Sequence, residues 1–252
     1  MFYRFKKSKV HIDVAFADKP SGVNILRLPG LPSFPKEDKF TEFFSQAGFN
    51  VFIPHYLGSW LSDGVFTPKN CLKTVEIAWD FVEKGKGIEL YNYEVKKWPV
   101  KKIILAGSSF GGYIALKYCS FSDVEKCALF SPLIDIENQG KVNNEEKMAH
   151  TLRFVREVFK NGFRGLEKKE WEDFFSGKLK EMAIDFSGLK SSSFFICHGD
   201  KDPTIDVSHT EEFVKNLLSG KVLFFKIANA NHKVWDYLTP EILEEFKFWV
   251  WK

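Results

Sequence analysis

The stretch Leu-Ala-Gly-Ser-Ser-Phe-Gly-Gly-Tyr, residues 105–113, sets two serines side by side inside a glycine frame. It follows the apolar run "KKIILA" (101–106) and leads into "YIALKYC" (113–119), so it reads as a turn from a buried strand into a helix. Such a turn needs small residues on either side of its apex, because the two backbones nearly touch there. The pattern G-x-S-x-G meets that need. Centred on Ser109 it is complete, with Gly107 and Gly111 two residues to either side. Centred on Ser108 it would need glycines where Ala106 and Phe110 stand. Ser109 is therefore the candidate nucleophile and Ser108 its neighbour. The competing reading is a glycine-rich junction without chemistry, or an anion site at a helix N-terminus. A phosphate loop would require G-K-[ST] at its end, and a dinucleotide fingerprint G-x-G-x-x-G; the stretch has neither.

Outward from this turn, strand-like and helix-like segments alternate. "HIDVAFA" (11–17), "VNILRLP" (23–29), "FNVFIPH" (49–55), "VKKIILAG" (100–107) and "EKCALFSP" (125–132) read as strands. "KEDKFTEFFSQAG" (36–48) and "PKNCLKTVEIAWDFVEKG" (68–85) read as helices, the second opening on Pro and closing on Gly. The alternation stops at residue 137. Residues 137–187 are charge-rich and carry two or three helices, such as "EEKMAHTLRFVREVFKNG" (145–162) and "EKKEWEDFFSGK" (167–178). Strand and helix return with "SFFICHG" (193–199), "SHTEEFVKNLLSG" (208–220), "KVLFFKIANA" (221–230) and "TPEILEEFKFWVWK" (239–252). The expected fold is α/β, a mostly parallel central sheet flanked by helices. Its core would span 1–136 and 188–252, with 137–187 as a helical insertion.

Composition narrows the class. The chain has 252 residues, 44% of them hydrophobic and 27% charged, ordinary values for a globular protein, and 27 phenylalanines supply ample core. A net charge of +3, from 36 basic and 33 acidic residues, is too balanced to suggest a nucleic-acid partner. No apolar signal-peptide core follows the opening charges and no run approaches membrane-spanning length, so a cytoplasmic location is expected. Cys71, Cys119, Cys127 and Cys197 form no C-x-x-C pair and lie in apolar segments, where a free thiol acts as a small core residue. No His, Cys or carboxylate cluster has metal-ligand spacing, and no metal or organic cofactor is expected.

A serine hydroxyl needs a base to take its proton, and the base needs a third group to hold its tautomer. Of the six histidines, His232 stands in "IANANHKVWD", a polar loop between the last strand and the last helix. In a parallel sheet that loop lies at the carboxyl ends of the strands, beside the serine turn. His198 ends the strand "FFICH" and is expected to pack or bond locally. For the acid, "HGDKDPTID" (198–206) offers Asp200, Asp202 and Asp206. Asp206 has helix capping as its natural alternative role. Asp202, before Pro203, should sit extended at the loop apex and ranks first, with Asp135 in "SPLIDI" an outside candidate.

The order Ser109, Asp202, His232, each after a strand, resembles the α/β-hydrolase superfamily. "GSSFGGY", "HGDKDPTID" and "NANH" look like that family's nucleophile elbow, acid loop and histidine loop. The "HGDxD" form and the doubled glycine are similar to dienelactone-hydrolase-like esterases and to the catalytic domains of prolyl-oligopeptidase-type enzymes. By this resemblance, which runs from about residue 23 to the end, 137–187 would be a cap over the active site. One oxyanion donor would be the backbone N–H of Phe110. The second would come from "RLPGLPSFP" (27–35), where Leu31 matches best, with Gly30 and Ser33 behind it. Many relatives have His-Gly where this chain has Pro29-Gly30, and prolines cannot donate. "HYLGSWLSDG" (55–64) resembles the loop after the next strand, which makes Trp60 and Phe66 either walls of an acyl pocket or partly buried aromatics with no substrate contact. The cap's Phe154, Phe159, Phe163, Phe174 and Phe175 face the site or pack against the body.

Together these readings describe a serine hydrolase acting on a small-molecule ester or related acyl bond, with Ser109, His232 and Asp202 as its triad. One alternative is a peptidase or acylaminoacyl-type amide hydrolase, for which the chain lacks room for a large gating propeller. The other is a non-catalytic protein of the same fold that binds a ligand, a role that needs none of the three residues.

Overall fold

The computed structural model describes residues 2–143, 145–217 and 221–252. A hairpin of β1 (Phe2–Lys7) and β2 (Val10–Ala15) opens the chain, followed by β3 (Val23–Leu28), α1 (Lys39–Gln46), β4 (Asn50–Pro54) and α2 (Pro68–Glu83). A short pair, β5 (Lys86–Ile88) and β6 (Val95–Lys97), precedes β7 (Lys102–Ser109), α3 (Phe110–Cys119) and β8 (Lys126–Pro132). The insertion carries α4 (Met148–Val158), α5 (Lys169–Phe175) and two 3-10 turns. Then come β9 (Ser193–Gly199), α6 (Val207–Asn216), β10 (Val222–Ile227) and α7 (Pro240–Trp251). The end of the helix expected over 208–220 lies outside the described residues at 218–220.

The strands form one eight-stranded sheet in the order β1-β2-β4-β3-β7-β8-β9-β10. β2 runs antiparallel to β1 and to β4, and the other neighbours pair in parallel. Every residue of β3, β4 and β8 is buried, as strands covered by helices on both faces must be. Along β3, Val23 and Ile25 join the core shared with Phe40 and Phe44 of α1 and Phe246 of α7. Leu26 and Leu28 point the other way, into the core of α2 and α3. This alternation makes three layers, helix–sheet–helix.

The strand order places the site. From β3 the chain steps outward to β4, and from β4 it crosses over β3 to β7. The loops leaving β3 and β7 therefore diverge to opposite faces, which opens a crevice at their carboxyl ends. Local signals set the helix starts: Thr67 caps α2 ahead of Pro68, Asp38 caps α1, and Asp206 caps α6 by accepting from Ser208 N.

Three strands go beyond the sequence expectation. In β1 polar residues interrupt the apolar pattern. Only Phe5 in it is fully inward, while Tyr3 and Phe16 are half-buried partners. β5 and β6 have three residues each and are largely exposed. Among the described residues, the insertion's buried apolar side chains join the core of α2 and α3. Its backbone pairs with the β4–α2 loop, Trp60 N donating to Gly162 O at 2.8 Å and Arg164 N to Gly58 O at 2.8 Å. Its Trp171 stacks on Phe66, with centroids 4.5 Å apart, and donates from Nε1 to the Phe66 carbonyl. The four cysteines are free and buried.

Candidate active site

Ser109 closes β7 and sits at φ 53°, ψ −124°, in a left-handed conformation that costs a non-glycine residue about 1–3 kcal/mol. The surrounding glycines explain how the chain reaches it. A Cβ on Gly107 would overlap the Gly111 carbonyl, and one on Gly111 would overlap the Leu28 carbonyl. Strand β7, helix α3 and the end of β3 therefore meet backbone to backbone, and Ser109 is thrust out at the apex. Ser108 is buried behind it. Gly30, on the loop after β3, approaches so closely that a Cβ there would lie 3.1 Å from Ser109 Cβ. Tyr56 Oη donates to Pro29 O at 3.0 Å and tethers this loop. Leu31 N follows directly, and Phe110 N opens α3, where a first-turn N–H has no acceptor within its helix.

Asp202 and His232 come together from two different loops. His232 Nδ1 lies 2.8 Å from Asp202 Oδ2, while Asp202 Oδ1 accepts from Thr204 N at 2.9 Å and Ile205 N at 3.0 Å. The Asp202 side chain is fully buried and that of His232 is 22% exposed. Burial pushes the Asp202 carboxyl up, but hydrogen bonds from His198 and His232 outweigh it and hold the group well below the ordinary aspartate range. Among the described residues no hydrogen bond joins Ser109 Oγ to His232; both side chains open on one cavity of about 620 Å³.

The other candidate acids are engaged elsewhere. Asp200 accepts from Asn229 N at 2.7 Å, and Asp135 turns back on Asn138. Among the other histidines, His55 pairs with Asp13 and His209 with Glu145, each at 2.9 Å and buried. His198 is buried against Asp202 itself, at 3.1 Å.

The cavity wall differs in part from the expected one. Leu31 lines it, but Phe66 is fully buried in the core against Trp171, Phe163 and Tyr56, and Trp60 packs on Phe34 and Phe163. Phe163, Phe174 and Phe175 are likewise core residues. The aromatic walls are Phe34, Phe154 and Trp235. Charges on the wall balance, with Arg27, Lys36, Lys39 and Lys233 against Glu37, Asp38, Glu146 and Asp236. Arg27 is the residue the sequence reading missed: a lone cation inside the buried run "VNILRLP", held by Asp38 at 2.7 Å and lying over the Phe40 ring. Among the described residues no group of three or more His, Cys, Asp or Glu is placed to hold a metal ion, and no helix is long and apolar enough to cross a membrane.

No protein-family model and no curated protein sequence matches the chain. Solved structures do match over its whole length. Est1E from Butyrivibrio proteoclasticus superposes with a TM-score of 0.64 at 13% identity, covering 100% of this chain and 99% of that one. The α/β hydrolase GrgF from Penicillium sp. sh18 gives a TM-score of 0.68 at 13% identity, over 98% of this chain and 96% of that one. XC6422 from Xanthomonas campestris, described as an a/b serine hydrolase without lid, gives 0.62 at 11% identity, over 99% and 94%.

Proposed function

We propose that this chain, which has the α/β-hydrolase fold, is a serine hydrolase that cleaves a carboxylic ester or related acyl bond of a small molecule. The observation that carries the reading is the 2.8 Å contact of His232 Nδ1 with Asp202, on the cavity that also takes in Ser109 at its strained turn. With its proton on Nδ1 donated to the acid, His232 keeps the Nε2 lone pair for the Ser109 hydroxyl.

In this mechanism Ser109 Oγ attacks the substrate carbonyl carbon as its proton passes to His232 Nε2. Asp202, held ionised, stabilises the imidazolium that forms. Collapse of the tetrahedral adduct breaks the bond to the leaving alcohol, which takes that proton from Nε2. Water then attacks the acyl-enzyme with His232 again as base, and the acid product leaves. The Phe110 and Leu31 N–H groups receive the oxyanion; one such donor is worth about 3–4 kcal/mol in the transition state. The insertion serves as a cap, a role supported by Thr151 and Phe154 of α4 on the wall of the same cavity.

A fluorophosphonate probe tests this without a guess at substrate. The expected result is one adduct on Ser109, located by peptide mass spectrometry and absent in Ser109→Ala and after denaturation. A folded protein that takes up no probe and hydrolyses no ester or amide would leave the fold as a binding scaffold. A matched panel of aryl esters and anilides then separates ester from amide cleavage.

A further inference from the structure

The acid of this site has two imidazole partners, and only one of them reaches the cavity. His198, near the end of β9, is fully buried. Its Nε2 stands 3.1 Å from Asp202 Oδ2 and 3.0 Å from the Ile205 carbonyl oxygen, and its Nδ1 stands 2.7 Å from Thr210 Oγ1. A carboxylate and a carbonyl at Nε2 require the proton to be there, since a bare lone pair would face two acceptors. In the neutral ring Nδ1 is then the acceptor, and the buried Thr210 hydroxyl donates to it. The loop carrying His232 is pressed onto the same strand end, because a Cβ on Gly199 would overlap the Ala230 carbonyl.

We infer that His198 is a positioning residue for the hydrolytic reaction, which donates its Nε2 proton to the same Asp202 oxygen that orients His232 and thereby sets how firmly that oxygen holds the base. The inference rests on the serine-hydrolase reading above. Asp202 Oδ1 is pinned by two backbone N–H groups and Oδ2 by two rings, so the carboxylate cannot turn without breaking a bond on each side. Sharing Oδ2 between two donors also lowers the negative charge available to either. Without His198, all of that charge acts on His232, its imidazolium gains stability, and the free base needed for attack appears only at higher pH.

Among the described residues, the titratable groups hydrogen-bonded within this unit are His198 on β9, Asp202 on the acid loop and His232 beyond β10. Thr210 on α6 carries no charge. The balanced charges of the cavity wall are common to every variant and do not move one pH profile against another.

The test is the pH dependence of kcat/KM on an aryl ester for wild type, His198→Met and His198→Gln. Met fills the space and cannot donate, whereas the Gln amide N–H reaches about the position of Nε2. In His198→Met the acid limb should move up by about one pH unit, with kcat at the plateau down roughly 10-fold and KM within about twofold. His198→Gln should return the limb to its wild-type position and recover most of kcat. A folded His198→Met with the wild-type limb, or a Gln variant shifted as far as Met, overturns the inference.

Two further readouts separate the possible failures. If wild type takes no fluorophosphonate and hydrolyses nothing, the hydrolase reading falls and takes this one with it. If wild type is labelled on Ser109 but the Met limb is unmoved, only the role of His198 falls. Should Met not fold, 15N spectra of the wild-type imidazoles decide: His198 must carry a proton on Nε2. An Nδ1–H tautomer there refutes it.

Discussion

Two of the buried carboxylate–histidine units among the described residues, Asp13–His55 and Asp202–His232, differ in what lies beyond the pair. In the first, Asp13 on β2 receives His55 Nε2 at 2.9 Å and Arg4 Nε at 2.6 Å. In the second, Asp202 receives His232 at 2.8 Å and His198 at 3.1 Å. Burial raises both acids, and in both the hydrogen bonds outweigh it and leave the carboxyl below its ordinary range. The difference lies beyond the pair. His55 is buried, and its remaining nitrogen, Nδ1, is enclosed without a hydrogen-bond partner among the described residues. His232 is partly exposed on a cavity that also takes in a serine at a strained turn. The first unit also carries a permanent cation, Arg4, and so works as a clamp between β1, β2 and the β4 end. The pair alone is a structural motif; in the proposed reaction, access to the imidazole's second nitrogen is what would let it transfer a proton.

Exchanging one oxygen for an amide in each unit should break the parallel most sharply. Asp202→Asn removes the acceptor that fixes the His232 tautomer, and kcat on an activated ester should fall on the order of 10⁴-fold with the fold retained. Asp13→Asn should leave kcat per folded molecule within about twofold. It should instead lower stability in urea by about 3 kcal/mol, the lower end for opening a buried ion pair because Arg4 is partly exposed. Loss of turnover in a fully folded Asp13→Asn would show that the clamp reaches the site and that the division is wrong.

Acid should act on both units in the same direction. Each carboxyl is lower in the folded chain than unfolded, so its contribution is complete above the unfolded value of about 3.9 and is lost as pH falls through the folded value. The urea midpoint should therefore drop between pH 5 and pH 3. Asp13→Asn, which no longer releases a proton on folding, should show a shallower drop than wild type. An equal slope would remove Asp13 from the acid response.

The units were unequally legible in the sequence. The serine turn could be read because it is a steric solution: Gly107 and Gly111 are needed where three backbones meet, whatever else the chain does. Asp202 and His232 could be read because each follows a strand of a parallel sheet, and topology carries such loops to one end. His198, at the end of its strand, is expected to pack or bond locally, and it does both; that its partner is the acid depends on how the loop folds back over four residues. Which phenylalanine faces the cavity was not legible at all. Phe66 and Phe154 look alike as apolar positions, and only the docking of the insertion on the β4–α2 loop sends the first inward to Trp171 and the second to the cavity wall. β1 and the β5–β6 pair were missed for a related reason, because half-exposed edges bury too little to impose a pattern.

That difference between the two phenylalanines provides the smallest predicted effect and a test of the cap. Phe154 is 50% exposed, so its ring is not part of the core, and Phe154→Ala should leave the urea midpoint within experimental scatter. If α4 covers the acyl site, the same change removes an apolar contact from bound substrate. Selectivity between a butyryl and an octanoyl ester should then shift by roughly 10-fold or less, mostly through KM, since an apolar wall discriminates chain length only modestly. The direction carries information too. Loss of preference for the longer chain places Phe154 along the acyl tail, and gain places it as a stop at the end of the pocket. Unchanged selectivity across the whole ester series would mean that the insertion lies beside the substrate path and does not cover it.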